Sequence, residues 1–535
     1  MQLKNVLFTS LGKWSFEKYN NFFVYYAGCR KSVIEFINDN NFSNKNIKKR
    51  LSQSNNFFSA IIETNDQIIC VSDFCRSFPI FYYKNKSLFK VSNDARTLKK
   101  KLKLKEILAQ SVNECFLSGY VSGKCTLYKS LYQTEACQFL KFNKQNKKLE
   151  INNFFYYHNK INLNIKKNEA LNKFDNVFNS SIDRLIKKSN NRTIIIFMSG
   201  GLDSRLILSK LVEKGYKKIL AFSYGIRGNS DSKIAKDICE KLNVKWQHIT
   251  TQKSDCYNFF NKAEVLNFFK FSDGLATVPN FQDFLPVAKL KEYLVKTENY
   301  LIVNGQTGDF ISGGHIPLKI YFKENSKKRI VKEIFSKHFS LWDQNNLITK
   351  VTKKNLEKKI DEFKNLKEYK NCKPEDIYEI WEYYERQVKF IIQGQRIYDY
   401  FGFDWYLPFW DGEVIRFWSE MPLELRKNQY LFKDYLRKGN FGGLFRDFHP
   451  KVKAFDSFPY SLITIFLILF KIIFGEKIRN NISIYFDYFS RYGHHYHLFG
   501  LIEFLKKRKK IRNPISLFVK KWFEYLGVDE KVSFK

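Results

Sequence analysis

Thr193-Ile-Ile-Ile-Phe-Met-Ser-Gly-Gly-Leu-Asp-Ser-Arg-Leu-Ile-Leu-Ser209 decides how this chain is read. Thr193 to Phe197 is a β-branched and aromatic run that predicts a buried strand. Leu206, Ile207 and Leu208 fall in the first turns of a helix. Ser199 to Ser204 is the turn between them, rich in small residues. Such a turn aims several backbone N–H groups at one spot, where the helix N-terminus adds partial positive charge. Gly200 and Gly201 lack a Cβ, so an anion can reach the backbone. Ser199 and Ser204 add hydroxyl donors, and Asp203 can hold magnesium against the bound anion. The stretch reads as a pyrophosphate cradle.

The hexapeptide Ser199-Gly-Gly-Leu-Asp-Ser204 resembles the signature of the PP-loop ATP pyrophosphatases, in the form found in the synthetase half of asparagine synthetases. It does not fit a Walker A loop, because the spacing differs and no Lys follows the second Gly.

A chain of 535 residues has room for two or more domains with full cores. Hydrophobic content of 44% with 17% aromatics excludes a disordered chain. Nine Cys occur without a Cys-x-x-Cys pair, so neither a zinc site nor a disulfide framework is indicated, and a reducing cytoplasm fits. The net charge of +38 invites an anionic partner. Lys is spread over nearly every segment, however, and no nucleic-acid-binding motif accompanies it, so a Lys- and Asn-rich coding bias is preferred. Met1 to Val6 shows no signal peptide.

Residues 1–165 read as strands and turns. Phe57–Ile62 and Gln67–Ser72 flank Thr64-Asn65-Asp66, a hairpin signal. Asp73 to Tyr83, Leu117 to Gly123 and Thr126 to Tyr128 follow in an order similar to the glutamine amidotransferase domain of asparagine synthetases. That resemblance implies an Ntn-hydrolase-like α+β domain of four layers, αββα. In the family the nucleophile is a Cys exposed by removal of Met1, but here residue 2 is Gln, which supplies no thiolate. The glutamine-binding segments also lack a counterpart between Tyr25 and Ala60. The domain is therefore expected to be a degenerate scaffold without glutaminase activity.

Residues 166–455 are expected to form a PP-loop α/β synthetase domain. An amphipathic helix over 168–188 leads into the loop strand, and strands at 218–225 and 246–250 alternate with a helix at 232–242. This alternation argues a parallel sheet with ligand at the carboxyl ends of its strands. Leu301 to His315 then runs from an apolar strand into a Gly-rich loop, similar to the family's Gly-Glu-Gly-Ala-Asp-Glu-x-x-Gly-Gly-Tyr. The resemblance implies ATP held by Met198, Ser199, Gly200, Gly201, Asp203, Ser204, Ser223, Tyr224, Asn304 and Gly305. It implies Mg2+ on Asp203 and Asp309. Gln306 replaces a Glu that in the family binds and deprotonates the nitrogen nucleophile; Gln can orient by hydrogen bonds but is no base. Tyr406 to Asp411 resembles the block closing the acyl-substrate side. Lys433, in Lys433-Asp-Tyr-Leu-Arg437, is expected to neutralise phosphate charge as pyrophosphate leaves.

Residues 456–535 read as a helical, basic extension. Phe458 to Phe474 is nearly all apolar but short for a membrane span. A buried helix is the first choice. An interfacial helix is the alternative, with Lys506 to Lys510 facing anionic lipid. The expected activity is an AMP-forming carbon–nitrogen ligase of asparagine synthase type, acting on a carboxylate and on an amine or ammonia, with a separate ammonia source as one expected partner. A non-catalytic ATP-binding scaffold of a biosynthetic pathway is the competing reading. Nucleic-acid modification by another PP-loop enzyme ranks third.

Overall fold

The computed structural model describes residues 5–528 apart from 20, 39–40, 87, 323–326, 344–346, 447, 449–457 and 491–494. Gln2 lies outside the described residues.

The N-terminal part contains β1 (Ser15–Tyr19), β2 (Phe22–Gly28), β3 (Phe58–Thr64), β4 (Gln67–Ser72), β5 (Phe81–Lys84), β6 (Phe89–Ser92), β7 (Leu131–Gln133), β8 (Gln138–Asn143) and β9 (Leu149–Asn153). The helices α1 (Arg30–Ile37), α2 (Asn44–Gln53), α3 (Ala95–Lys101) and α4 (Ala109–Ser118) intervene. The predicted hairpin is β3 and β4, with Ile61 opposite Cys70. Its turn is fixed by Thr64, whose hydroxyl accepts from the N–H groups of Asp66 and Gln67. An antiparallel sheet ordered β1-β2-β3-β4-β8-β9 packs on a second ordered β6-β5-β7. Phe89 and Phe142 stack across the two sheets at 4.3 Å. α1 covers the first sheet through Val33 and Phe36, with α2 packed beside it through the buried Ile47 and Leu51, and α3 covers the second. These are the four layers expected, αββα.

The second part holds a five-stranded sheet of β10 (Thr193–Phe197), β11 (Ile219–Gly225), β12 (Lys245–Thr250), β13 (Tyr300–Val303) and β14 (Asp404–Tyr406). Its order is β12-β11-β10-β13-β14 and every pairing is parallel. Ile194, Ile195 and Ile196 are wholly buried, as a central strand covered on both faces requires. The helices α5 (Lys167–Ser189), α6 (Leu202–Glu213) and α7 (Ser230–Lys241) precede or connect its first strands. The two parts meet through aromatic contacts, with Phe57 5.4 Å from Trp405 and 5.1 Å from Tyr406.

The helical end divides in two. The helix Pro514–Leu526 packs into the body, with Phe518 5.3 Å from Phe281 and the Trp522 indole N–H donating to Asp273. The helix Phe458–Ser490 breaks at Gly475, whose φ of +81° suits glycine, and the chain doubles back. Phe466 and Phe486 consequently lie 5.7 Å apart. The expectation of a buried helix over 458–474 is overturned here: Leu469, Ile472 and Ile473 are 54%, 76% and 70% exposed. Apolar composition signals a demand for cover, and these side chains stay exposed although the second arm packs on Phe466.

Candidate functional site

The site forms where β10, β11 and β13 end side by side. Met198 donates its N–H to Phe222 O at 2.6 Å, extending the β10–β11 pairing one residue into the loop. Ser199 Oγ accepts from Gly201 N at 3.1 Å, and Gly200 O accepts from the Arg205 guanidinium at 2.9 Å, so the turn is held from both sides. Gly201 then caps α6, which points its free N–H groups at the same space.

A second loop approaches from β13 so closely that side chains are excluded. A Cβ on Gly305 would lie 2.7 Å from Ser204 N, and one on Gly308 2.6 Å from the Asp203 carboxyl. Asp309 N donates to Asp203 Oδ2 at 3.1 Å. Burial, and then the charge of Asp309, push the Asp203 carboxyl up to about 7. Burial would also raise Asp309, but the hydrogen bond and charge of His315 hold it below the usual carboxylate range.

Together these loops wall a cleft of about 480 Å³. Met198, Ser199, Gly201, Asp203, Ser204, Ser223, Tyr224, Asn304, Gly305, Gln306 and Asp309 all line it, so ten of the eleven are drawn from the expected nucleotide and metal residues and the other is Gln306. Gly200 does not line the cleft and packs against Ile234 and Asp231. Ser223 is fixed by donating to Met198 O at 2.8 Å and accepting from the Trp246 indole at 3.1 Å. Tyr224 OH donates to Asp283 at 2.6 Å. Gln306 Oε1 accepts from Gln395 Nε2 at 2.5 Å, and Gln395 in turn accepts from Asn304 at 3.2 Å.

Lys433 is not brought to this cleft. Leu431, Phe432, Tyr435 and Leu436 turn inward from the helix Tyr430–Gly439, which leaves Lys433 on the exposed side. It borders a separate groove with Lys427, Asp434 and Arg437. Gln429 takes the cleft position instead, with left-handed backbone, and donates to Ser312 Oγ at 2.9 Å.

Sequence reasoning also missed His315 and Glu382. His315 Nε2 lies 3.0 Å from Asp309 Oδ2, and its Nδ1 lies 2.5 Å from Glu382 Oε1. Burial alone would depress this imidazole, but the charge of Glu382 and the two hydrogen bonds lift it to about 9. His338, on the other side of Glu382, is pushed down to about 4 by burial despite the same carboxylate. His315 ends the Gly-rich stretch and was visible there; Glu382 lies 67 residues away on another helix, with no local signal.

The residues present fit a nucleotide and magnesium. Ser204 Oγ is buried at the cleft wall with no hydrogen-bond partner, an unsatisfied group that a phosphate oxygen would match. Among the described residues no three His, Cys, Asp or Glu side chains converge as a self-contained metal site. Magnesium needs only one or two carboxylates when phosphates and waters complete its shell, and Asp203 and Asp309 are the residues that would supply them.

The family model of asparagine synthase matches residues 174–442. The chain is similar to the microcin J25-processing protein McjC of Escherichia coli, with 28% identity over 225 residues, 38% of this chain and 40% of that protein. It is also similar to the 7-cyano-7-deazaguanine synthase of Hahella chejuensis (strain KCTC 2396), with 42% identity over 55 residues, 10% of this chain and 23% of that one. The chain thus spans two-fifths or less of the length of these curated relatives. Among solved structures, the allosteric regulatory enzyme of purine biosynthesis shares 9% identity at a TM-score of 0.18, covering 44% of this chain and 61% of its own. The glutamine phosphoribosylpyrophosphate amidotransferase of B. subtilis shares 10% at 0.16, covering 56% and 59%. Both likenesses are too slight to bear on the site. The family match takes in both glycine loops and half of the sequence, and the chain belongs to the asparagine synthase family.

Proposed function

We propose that the protein is an ATP-dependent amide ligase that adenylates a carboxylate, releases pyrophosphate, and transfers the acyl group to ammonia or an amine. The observation carrying this reading is the meeting of Asp203 and Asp309 across two glycine loops at one cleft. Carboxylate attack on the α-phosphorus builds charge on the leaving pyrophosphate. The N–H groups of the 199–204 turn and the Ser204 hydroxyl are preorganised to stabilise that charge. Magnesium on Asp203 and Asp309 would neutralise phosphate charge there. Ser223 and Tyr224, at the end of β11, suit the base of the nucleotide. Gln306 would orient the nucleophile by hydrogen bonding, without acting as base. The charge-neutralising role expected of Lys433 has no support from its place outside the cleft.

The free state of all nine cysteines is in keeping with a reducing cytoplasm. With Gln2 in place of a thiol, ammonia would come from a separate source, or an amine would take its place.

The test is exchange of labelled pyrophosphate into ATP over a panel of acids that includes peptide carboxylates, since the similar McjC is a microcin-processing protein. Exchange stimulated by one acid supports the ligase. Calorimetry showing ATP and magnesium bound, with no acid stimulating exchange, would favour the ATP-binding scaffold, to which Gln2 and Gln306 point; no binding at all would end the ligase reading.

A further inference from the structure

We propose that the hairpin 458–490, with the basic segment 501–510 against it, seats the protein on the surface of an anionic bilayer without crossing it. This goes beyond the ligase reading and does not depend on it.

The first arm is apolar around most of its girth. Leu462, Ile465, Phe466, Ile468, Leu469, Ile472, Ile473 and Phe474 are each at least 45% exposed. At 100° per residue these positions span about two-thirds of the helix circumference. A folded protein partner, or a second copy of this chain, covers a stripe of a helix; a fluid apolar phase covers the whole arc. The second arm turns back at Gly475 and leaves Ile472 to Phe474, 76%, 70% and 50% exposed, beside the turn of the hairpin. Among the described residues no helix is long and apolar enough to cross a membrane. The arm would therefore lie in the interface rather than span it.

Charge selects the kind of surface. The Arg508 guanidinium donates to Ile484 O at 2.9 Å, and Tyr488 sits 5.1 Å from Phe504, so the basic segment is tied to the hairpin's second arm. Lys506, Lys509 and Lys510 are exposed there, beside Ile502, which is 69% exposed, and Leu501 and Leu505. Exposed apolar and cationic side chains thus alternate along the same short helix and turn, the composition of a segment that binds acidic headgroups. Glu503 is spent on Lys507, at 2.8 Å, and does not offset the three lysines.

The experiment is sedimentation of the full-length protein with vesicles of phosphatidylcholine alone, or of equal parts phosphatidylcholine and phosphatidylglycerol. The protein is expected to sediment with the anionic vesicles and to be weakened by high salt. Replacing exposed side chains leaves the fold intact, which circular dichroism checks. Ile472→Ser/Ile473→Ser should reduce binding at least ~10-fold. Lys506→Gln/Lys509→Gln/Lys510→Gln should reduce it ~10²-fold, at roughly five-fold per lysine. Wild-type protein left in the supernatant with both vesicle types would overturn the proposal. So would equal binding to neutral vesicles. A lipid-free dimer that Ile472→Ser/Ile473→Ser dissolves, in a protein that ignores vesicles, would assign the face to a second copy instead.

Discussion

Asp309 reaches Asp203 through its backbone: the N–H of Asp309 donates to the Asp203 carboxylate at 3.1 Å, while the Asp309 carboxylate is held by His315 at 3.0 Å. The two carboxylates thus belong to different loops but are positioned by one short hydrogen-bonded path, His315–Asp309–Asp203. Moving either loop disturbs both candidate metal ligands.

Asp203→Asn preserves shape and removes charge. Turnover should fall ~10²-fold or more, with a smaller effect on ATP affinity, because the lost interaction acts mainly on the departing pyrophosphate. Asp309→Asn should behave alike. The double variant should be little worse than either single one, since both would serve one metal. Pyrophosphate exchange with the stimulating acid, set beside calorimetric ATP binding, separates these effects. Additive losses would argue two independent roles.

Gly308→Ala tests the approach of the loops by volume alone. The backbone of Gly308 is not left-handed, so alanine brings no torsional strain, but its methyl would sit 2.6 Å from the Asp203 carboxyl. Asp203 must move or the second loop must retreat. Exchange activity should drop at least ~10-fold, the effect expected when a charged group is misplaced by about an ångström. Overall melting should shift little, because the displaced group borders open cleft. Full activity in Gly308→Ala would show that the contact is relieved without consequence.

What could be read in advance was local. Thr193–Phe197 was legible to the residue because a buried central strand must be an unbroken apolar run, and the glycine turn follows from it. Asp309 was found because it sits inside a second glycine-rich stretch. The pairing of His315 with Glu382 was not legible, since it joins distant segments by tertiary packing. Lys433 was assigned from flanking residues, although the inward pattern of Leu431, Phe432, Tyr435 and Leu436 already turns it outward. The 458–474 run was misread for a different reason: hydrophobicity shows that a segment avoids water, not which neighbour shields it.

Asp273 should anchor the three parts of the chain together. Its buried carboxylate accepts from Arg96 of α3, from Leu275 N at 3.1 Å, and from Trp522 of the last helix at 2.9 Å. Arg96→Met leaves that carboxylate buried without its cation and should cost about 3 kcal/mol, since breaking one side of a buried pair strands the other. Trp522→Phe keeps the ring and loses one hydrogen bond, for about 1 kcal/mol. Urea unfolding followed by tryptophan fluorescence reads both. Similar costs for the two variants would mean that the ion pair is effectively solvated.

The purified protein should release no glutamate from glutamine. An N-terminal glutaminase needs a thiolate beside its own free amine, and Gln2 offers only an amide. Cys70, Cys75, Cys115 and Cys137 of the same domain are buried, and burial pushes each thiol up, away from the reactive thiolate. Beyond that domain burial lifts Cys256 to about 11 and both Cys239 and Cys372 to about 12. Cys29 is half-buried where β2 meets α1, and its N–H is already engaged by Phe57 O at 2.9 Å. Gln2→Cys should not confer activity either, if the glutamine-binding segments expected to be missing between Tyr25 and Ala60 are indeed missing. Free ammonia should therefore support the full reaction wherever glutamine does not, if ammonia is the acceptor. Glutamate release that a thiol alkylator abolishes would point to one of the internal cysteines, Cys29 first, as a displaced nucleophile.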